Sequence, residues 1–216
     1  MNDGVEALLA RVRKALGPGA RPEPVKRDFR SLLPPGGKTF EERVELFARN
    51  AKDLSVAFIR CDSFEKAVEH LRGLSTGSGW KRVAFHRGGN AERAVAGLGI
   101  EVMATDGGYE KARLESCDAG ITDCDALVAQ TGSVLVTSRT TGGRGLSILP
   151  HHHVVLAGKD QLLSDLPEAF ELLDKKYGKD YPSMVSFITG PSRTADIEQT
   201  LVLGAHGPKR LTILMF

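Results

Sequence analysis

Residues 55–104 read SVAFIRCDSFEKAVEHLRGLSTGSGWKRVAFHRGGNAERAVAGLGIEVMA, and this stretch decides the fold class. Ser55-Val56-Ala57-Phe58-Ile59 is an apolar run of strand length. Ser63 then caps a helical pattern that continues through Val68 and Leu71. Arg82-Val83-Ala84-Phe85-His86 is a second strand, residues 90–98 a second helix, and Ile100–Ala104 a third strand. Strands alternating with helices in this way predict an α/β sheet covered on both faces.

Working outward, the same alternation continues. Strands are predicted at Ala126–Ala129, Ser133–Thr137, Val154–Ala157, Val185–Thr189 and Leu211–Phe216, with a helix around Gln161–Tyr177. The strands at 126–129 and 133–137 lack room for a crossover helix, so part of the pairing should be antiparallel. Upstream, Thr39 and Glu42 form a capping box for a helix whose apolar positions are Val44, Phe47 and Leu54. Val5, Leu8, Leu9, Val12 and Leu16 keep a 3.6-residue period over residues 3–16, and Gly17-Pro18-Gly19 stops that helix. The expected organisation is an N-terminal helix with a Pro/Arg-rich arm over 1–38, then an α/β domain over 39–216.

Charge is unevenly placed. The chain carries a net +2, but residues 1–30 hold 7 Lys/Arg against 4 acids, leaving the remainder at −1. A nucleic-acid binder needs a strongly basic stripe with interleaved aromatics. Here the excess sits on one arm and aromatics are 6% of the chain, so the arm reads as a docking or solubility feature. No apolar run approaches the roughly 20 residues that span a bilayer. Three cysteines cannot form a fully paired disulfide framework. A soluble, cytoplasmic protein with no membrane span is expected.

Several signatures fail on inspection. Gly36-Gly37-Lys38-Thr39 ends like a phosphate-binding loop, yet the required first glycine falls at Leu32 and no strand precedes it. Gly97-Leu98-Gly99 lacks the third glycine of a dinucleotide fingerprint. Cys61, Cys117 and Cys124 contain no C-x-x-C, so no iron–sulfur pattern and no other cofactor motif is recognisable. His151-His152-His153 places two imidazoles on one strand face, but no acidic or Cys ligand stands nearby, and no metal site is assigned.

Three glycine-flanked segments do carry chemistry. Thr131, Gly132 and Ser133 form a polar turn whose hydroxyls and amides suit a carboxylate or phosphate; an ordinary hairpin turn is the competing reading. Gly143-Arg144-Gly145 lets backbone approach a ligand while the guanidinium makes a planar, bidentate contact; a solvated loop is the competing reading. Gly190, Ser192, Arg193 and Thr194 follow a strand and should open a short helix, with Asp196 and Glu198 as candidate general bases. Helix capping explains all of these but the Arg. His206, with Gly204 and Gly207 close on either side, is a further candidate base, its ring and backbone left open to a ligand.

Read in order, several of these segments resemble the LUD domain, the lactate utilization family. They are Ile121-Thr122 with Cys124-Asp125, Ala129–Ser133, Gly143–Ser147, Leu149-Pro150 with His153-Val154-Val155, Gly190–Glu198 and Gly204–Pro208. The likeness covers about 80–216. It implies a three-layer α/β/α sandwich with a mixed, mostly parallel sheet, like the NagB/RpiA/CoA-transferase group. It also implies a part in oxidising L-lactate to pyruvate beside other lactate-utilization proteins, with iron–sulfur clusters on those partners. The absence of ferredoxin-like cysteine motifs here resembles the small C-type members. His151-His152 departs from the family pattern, which weakens a shared metal site further.

Oxidising a 2-hydroxy acid needs a clamp for the carboxylate, a base for the hydroxyl proton and an electron acceptor. Arg144 and Arg193 are clamps, and Asp196, Glu198 and His206 are bases, but no acceptor motif exists. The expected role is therefore a non-iron–sulfur subunit binding a small anion or a partner surface. A stand-alone enzyme acting on a phosphorylated or acyl substrate, and a pure interaction module docking through the basic arm, are the alternatives.

Overall fold

A computed structural model describes residues 3–16, 33–195, 201–203 and 207–216. The chain divides into two units, Met1–Leu33 and Pro34–Phe216. In the first, α1 (Asp3–Leu16) carries its basic residues Arg13 and Lys14 in the last turn, where they complement the helix dipole.

The second unit begins with α2 (Phe40–Asp53). Thr39 Oγ1 accepts from the Glu42 amide at 3.2 Å while the Glu42 carboxylate accepts from the Thr39 amide, the capping box expected from the sequence. Then follow β1 (Ala57–Arg60), α3 (Phe64–Ser78), β2 (Arg82–Phe85), α4 (Asn90–Val95), β3 (Glu101–Ala104), α5 (Lys111–Glu115) and β4 (Ala119–Asp123). The chain continues through β5 (Ala126–Val128), β6 (Ser133–Thr137), α6 (Ser138–Thr141), α7 (Gly145–Ile148) and β7 (His152–Ala157). The last elements are β8 (Leu162–Leu163), α8 (Leu166–Tyr177), β9 (Val185–Ile188), β10 (Arg193–Ala195), β11 (Leu201–Leu203) and β12 (Arg210–Met215).

The fold is α/β, with mixed and mostly parallel strand pairing and helices on both sides. Six strands form one sheet in the order β1-β12-β7-β4-β2-β3, every pair parallel. The antiparallel pairing foreseen between β5 and β6 lies in a second, four-stranded sheet, β8-β5-β6-β9. Alternation along β7 assigns the layers. Val154 and Leu156 join Ala67 and Leu71 of α3 and Ala91, Ala94 and Val95 of α4 on one face. Val155 and Ala157 face the other way, onto Val44 and Phe47 of α2 and onto Leu127, Val134 and Val136 of the second sheet. The far face of that second sheet is closed by Ala169 and Leu173 of α8.

Three local readings differ from expectation. β4 occupies the centre of the large sheet, although Gly120 and Thr122 break its apolar run. The helix expected from Gln161 starts at Leu166, after Leu162 and Leu163 have paired with Leu127 and Val128; Asp165 caps it by accepting from the Glu168 amide at 2.8 Å. The short helix expected to open near Ser192 is not formed: Gly190 turns the chain at φ +95°, and Arg193–Ala195 pair antiparallel with Leu201–Leu203 instead. Among the described residues no helix is long and apolar enough to cross a membrane.

Candidate functional site

The strand order contains a reversal. From β2 the chain crosses through α4 to the edge strand β3, then returns through α5 to β4 on the opposite side of β2. In open α/β sheets, ligands collect outside the carboxyl ends of strands at such a reversal. Here those ends carry His86 after β2, Asp106 after β3 and Asp123 at the end of β4.

Asp123 is tied to the start of α4. Its two carboxylate oxygens accept from the Asn90 and Ala91 amides, each at 3.1 Å. Gly89 packs so closely on this carboxylate that a Cβ there would collide with Oδ2. Burial raises the pKa of Asp123, and the two amide hydrogen bonds oppose that rise without cancelling it.

His86 stands beside Asp106, with Nδ1 3.1 Å from Oδ1 but without hydrogen-bond alignment. Asp106 is itself held by the Arg87 amide, at 3.1 Å to Oδ2. Nδ1 of His86 is shut off from solvent, whereas the side chain as a whole keeps 23% of its surface exposed. The wall over Nδ1 is Gly142, at φ +64°, where any Cβ would overlap the ring.

Gly142 belongs to the α6–α7 segment, which is anchored from behind. Thr137 caps α6, its side chain accepting from the Arg139 amide at 3.2 Å, and its own amide donates to Thr140 Oγ1 at 3.0 Å. Thr140 Oγ1 in turn reaches Asp125 Oδ2 at 3.1 Å. The side chain of Asp125 is fully buried, and its Oδ1 accepts from Lys176 Nζ at 2.6 Å and from Tyr177 Oη at 2.5 Å. Burial alone would lower the pKa of Lys176, but the hydrogen bond and charge of Asp125 outweigh it and the net shift is upward. Burial, then the hydrogen bond to Asp125, raises that of Tyr177.

Past Gly143, the exposed side chain of Arg144 has no ion-pair partner among the described residues. Gly145 lies against Tyr109 Oη, where a Cβ would collide. Arg144, unpaired among the described residues, the partly exposed imidazole of His86 and a closely packed backbone loop thus lie at one end of the sheet. A guanidinium and an imidazole are residue types that can hold a small anion and accept a proton.

The other sequence-predicted residues lie elsewhere. Thr131, Gly132 and Ser133 sit at the opposite end of β6, about 13 Å away along a five-residue strand. There the Asn50 side-chain amide, on α2, donates to the Ala129 and Gln130 carbonyls at 2.8 and 3.0 Å. Thr131 Oγ1 is buried without a partner, and Ser133 Oγ meets Thr189 Oγ1 at 2.7 Å. Gly190 packs on Leu54, and the Ser192 amide donates to the Pro208 carbonyl at 3.0 Å, next to Gly207. These residues form a second group around the hairpin turn. Arg193 and Thr194 lie on β10. Asp196, Glu198 and His206 fall outside the described residues.

His152 and His153 take opposite sides of β7, as alternation requires. His152 Nε2 pairs with Thr212 Oγ1 and His153 Nε2 with Thr122 Oγ1, both at 2.8 Å. Burial, with the Arg210 charge, lowers His152 to about 4; burial, with His152, lowers His153 to about 3. Both are neutral core residues at physiological pH. The three thiols are free and buried, and no group of three or more metal-ligating side chains occurs among the described residues.

Reading the sequence missed His86, Asp106 and Asp125. The available signals were a polar residue ending the apolar strand RVAFH ahead of two glycines, and an acid set inside the apolar run ITDCDALVA.

The fold defines an α/β protein whose polar cluster of His86, Asp106 and Asp123 lies at the switch between β2 and β4. The LUD domain family model matches residues 84–216, and the chain belongs to this family. It is 37% identical to a lactate utilization protein C of Halalkalibacterium halodurans, over 95% of this chain and 94% of that one. A lactate utilization protein C of Oceanobacillus iheyensis is 26% identical over 97% of both chains. The crystal structure of a DUF162 family protein from Deinococcus radiodurans shares the fold, with a TM-score of 0.66 at 21% identity, covering 83% of this chain and 99% of that one.

Proposed function

We propose that this chain serves in lactate utilization, as a non-iron–sulfur subunit of a complex that oxidises L-lactate to pyruvate. The near full-length likeness to relatives named lactate utilization protein C supports the general role. One observation carries the specific one: Arg144, unpaired among the described residues, on a glycine-flanked loop closed against His86 at the sheet's switch point. A guanidinium placed this way clamps a small carboxylate in a planar, bidentate contact.

Taking lactate to pyruvate releases two electrons and two protons. The chain would supply the anion clamp and a proton acceptor, and iron–sulfur clusters on partner proteins would supply the electron acceptor. Copurification with neighbouring lactate-utilization proteins, followed by lactate-to-dye electron transfer with and without this chain, tests the proposal. Transfer should require the chain together with its partners. Lactate oxidation by the isolated chain with a dye would contradict it.

A further inference from the structure

We infer that α1 is a self-association helix: it pairs antiparallel with α1 of a second copy of this chain, along an apolar seam flanked by reciprocal Glu6–Arg13 ion pairs. The inference rests on α1 alone and is independent of the lactate reading.

The helix is amphipathic, and its apolar side faces water. Val5, Leu8, Leu9 and Val12 are 55, 59, 39 and 46% exposed. Single exposed apolar residues are ordinary, but four on one helical stripe mark an association surface. A helix of 14 residues is also marginal by itself in water, because so few hydrogen bonds barely offset the cost of nucleation. The element therefore draws stability from whatever packs on this stripe.

Spacing and charge point to a second copy. Val5, Leu9 and Val12 fall four and three residues apart, and Leu16 continues that series in the sequence, which is the a/d rhythm of a coiled-coil seam. With Leu9 at a and Val12 at d, Glu6 and Arg13 both take position e, and Leu8 and Ala15 both take position g. Two parallel helices set e against g, which would place Arg13 on Leu8 and keep Glu6 away from it. Two antiparallel helices set e against e and g against g. Leu9 then meets Val12 of the other copy, Leu8 meets Ala15, and Glu6 meets Arg13, each contact occurring twice by two-fold symmetry. The half of each helix that holds Glu6 lies along the half of the other that holds Arg11, Arg13 and Lys14. An unrelated partner would have to supply acid and base in matching order; a second copy brings them by symmetry.

Sedimentation velocity of the full chain over about 5–500 µM tests this, since an interface this short assembles weakly. The wild-type chain should pass from monomer to dimer with a midpoint on the order of 100 µM. Leu9→Glu, which puts a charge in the seam, should stay monomeric throughout. Glu6→Arg and Arg13→Glu each replace two attractions by two repulsions and should weaken the dimer by about ten-fold. Mixed together, the two variants regain both ion pairs, because one chain then carries acid at both e positions and the other carries base. The mixture should dimerise about ten-fold more tightly than either variant alone. A wild-type chain that is monomeric at every concentration overturns the inference, as does a dimer that survives Leu9→Glu. A mixture no tighter than its two components overturns the antiparallel pairing, and the inference with it.

Discussion

Gly142 packs against the imidazole of His86, so that the loop bearing Arg144 and the strand end bearing His86 are fitted to each other without space for a methyl group. Gly142→Ala must displace one or the other and also hold φ +64°, which L-residues resist. The expected cost is about 1–3 kcal/mol of stability, together with loss of carboxylate binding. Urea unfolding and ligand titration of the same variant check both. Unchanged binding would separate this loop from the ligand.

The Asp125–Lys176 contact joins residues 51 apart and fixes Thr140 from behind. Lys176→Met leaves a fully buried carboxylate with Tyr177 and Thr140 as its remaining donors among the described residues. Because nearly half of the Lys176 side chain still meets water, the cost should be about 1–2 kcal/mol rather than that of a fully buried pair. The double variant Asp125→Asn/Lys176→Met should lose less than the sum of the single variants in urea melts. Strict additivity would show that the two residues are not coupled.

His152 and His153 make stability depend on pH. Their folded pKa values, about 4 and about 3, lie below the ordinary value near 6.5, so the unfolded chain takes up protons first. Their contribution is present in full above about pH 6.5 and is lost as pH falls toward 4 and 3. Each group steepens the loss by about 1.4 kcal/mol per pH unit in that window. His153→Gln, which can keep the bond to Thr122, should flatten the pH 6 to pH 5 slope of unfolding free energy by that amount relative to wild type. Parallel curves would contradict the assignment.

Burial raises the pKa of all three thiols, that of Cys117 to about 11 and that of Cys124 well above its ordinary value. Thiolates, not thiols, react with disulfide reagents. At pH 8 the native protein should therefore release far less than one equivalent of chromophore while the urea-unfolded chain releases three. Rapid native reaction of any cysteine would show that its burial is transient.

Local signals in the sequence were read correctly wherever one segment supplies the whole signal. Thr39 and Glu42 stand three apart and cap α2 as expected, and the β5–β6 hairpin is dictated by four residues between two apolar runs. β4 was hidden because its position between β2 and β7, not its own composition, buries Gly120 and Thr122. The site was legible in part. Gly143-Arg144-Gly145 was visible as a loop built for close backbone approach. His86 and Asp106 stand 20 residues apart and meet only because β2 and β3 run parallel in register. Asp125 gains Lys176 and Tyr177 as partners from α8, 51 and 52 residues further along. Spacing along the chain carries no trace of either meeting.

The central claim is that this chain brings an anion clamp to a lactate-oxidising assembly. Its most direct test is the rate of L-lactate-dependent dye reduction by the copurified complex containing either the wild-type chain or Arg144→Gln. If a bidentate carboxylate contact is lost, the rate at low lactate should fall by about 10–100-fold while the complex stays assembled. An intact complex that oxidises lactate at the wild-type rate without Arg144 would contradict the account.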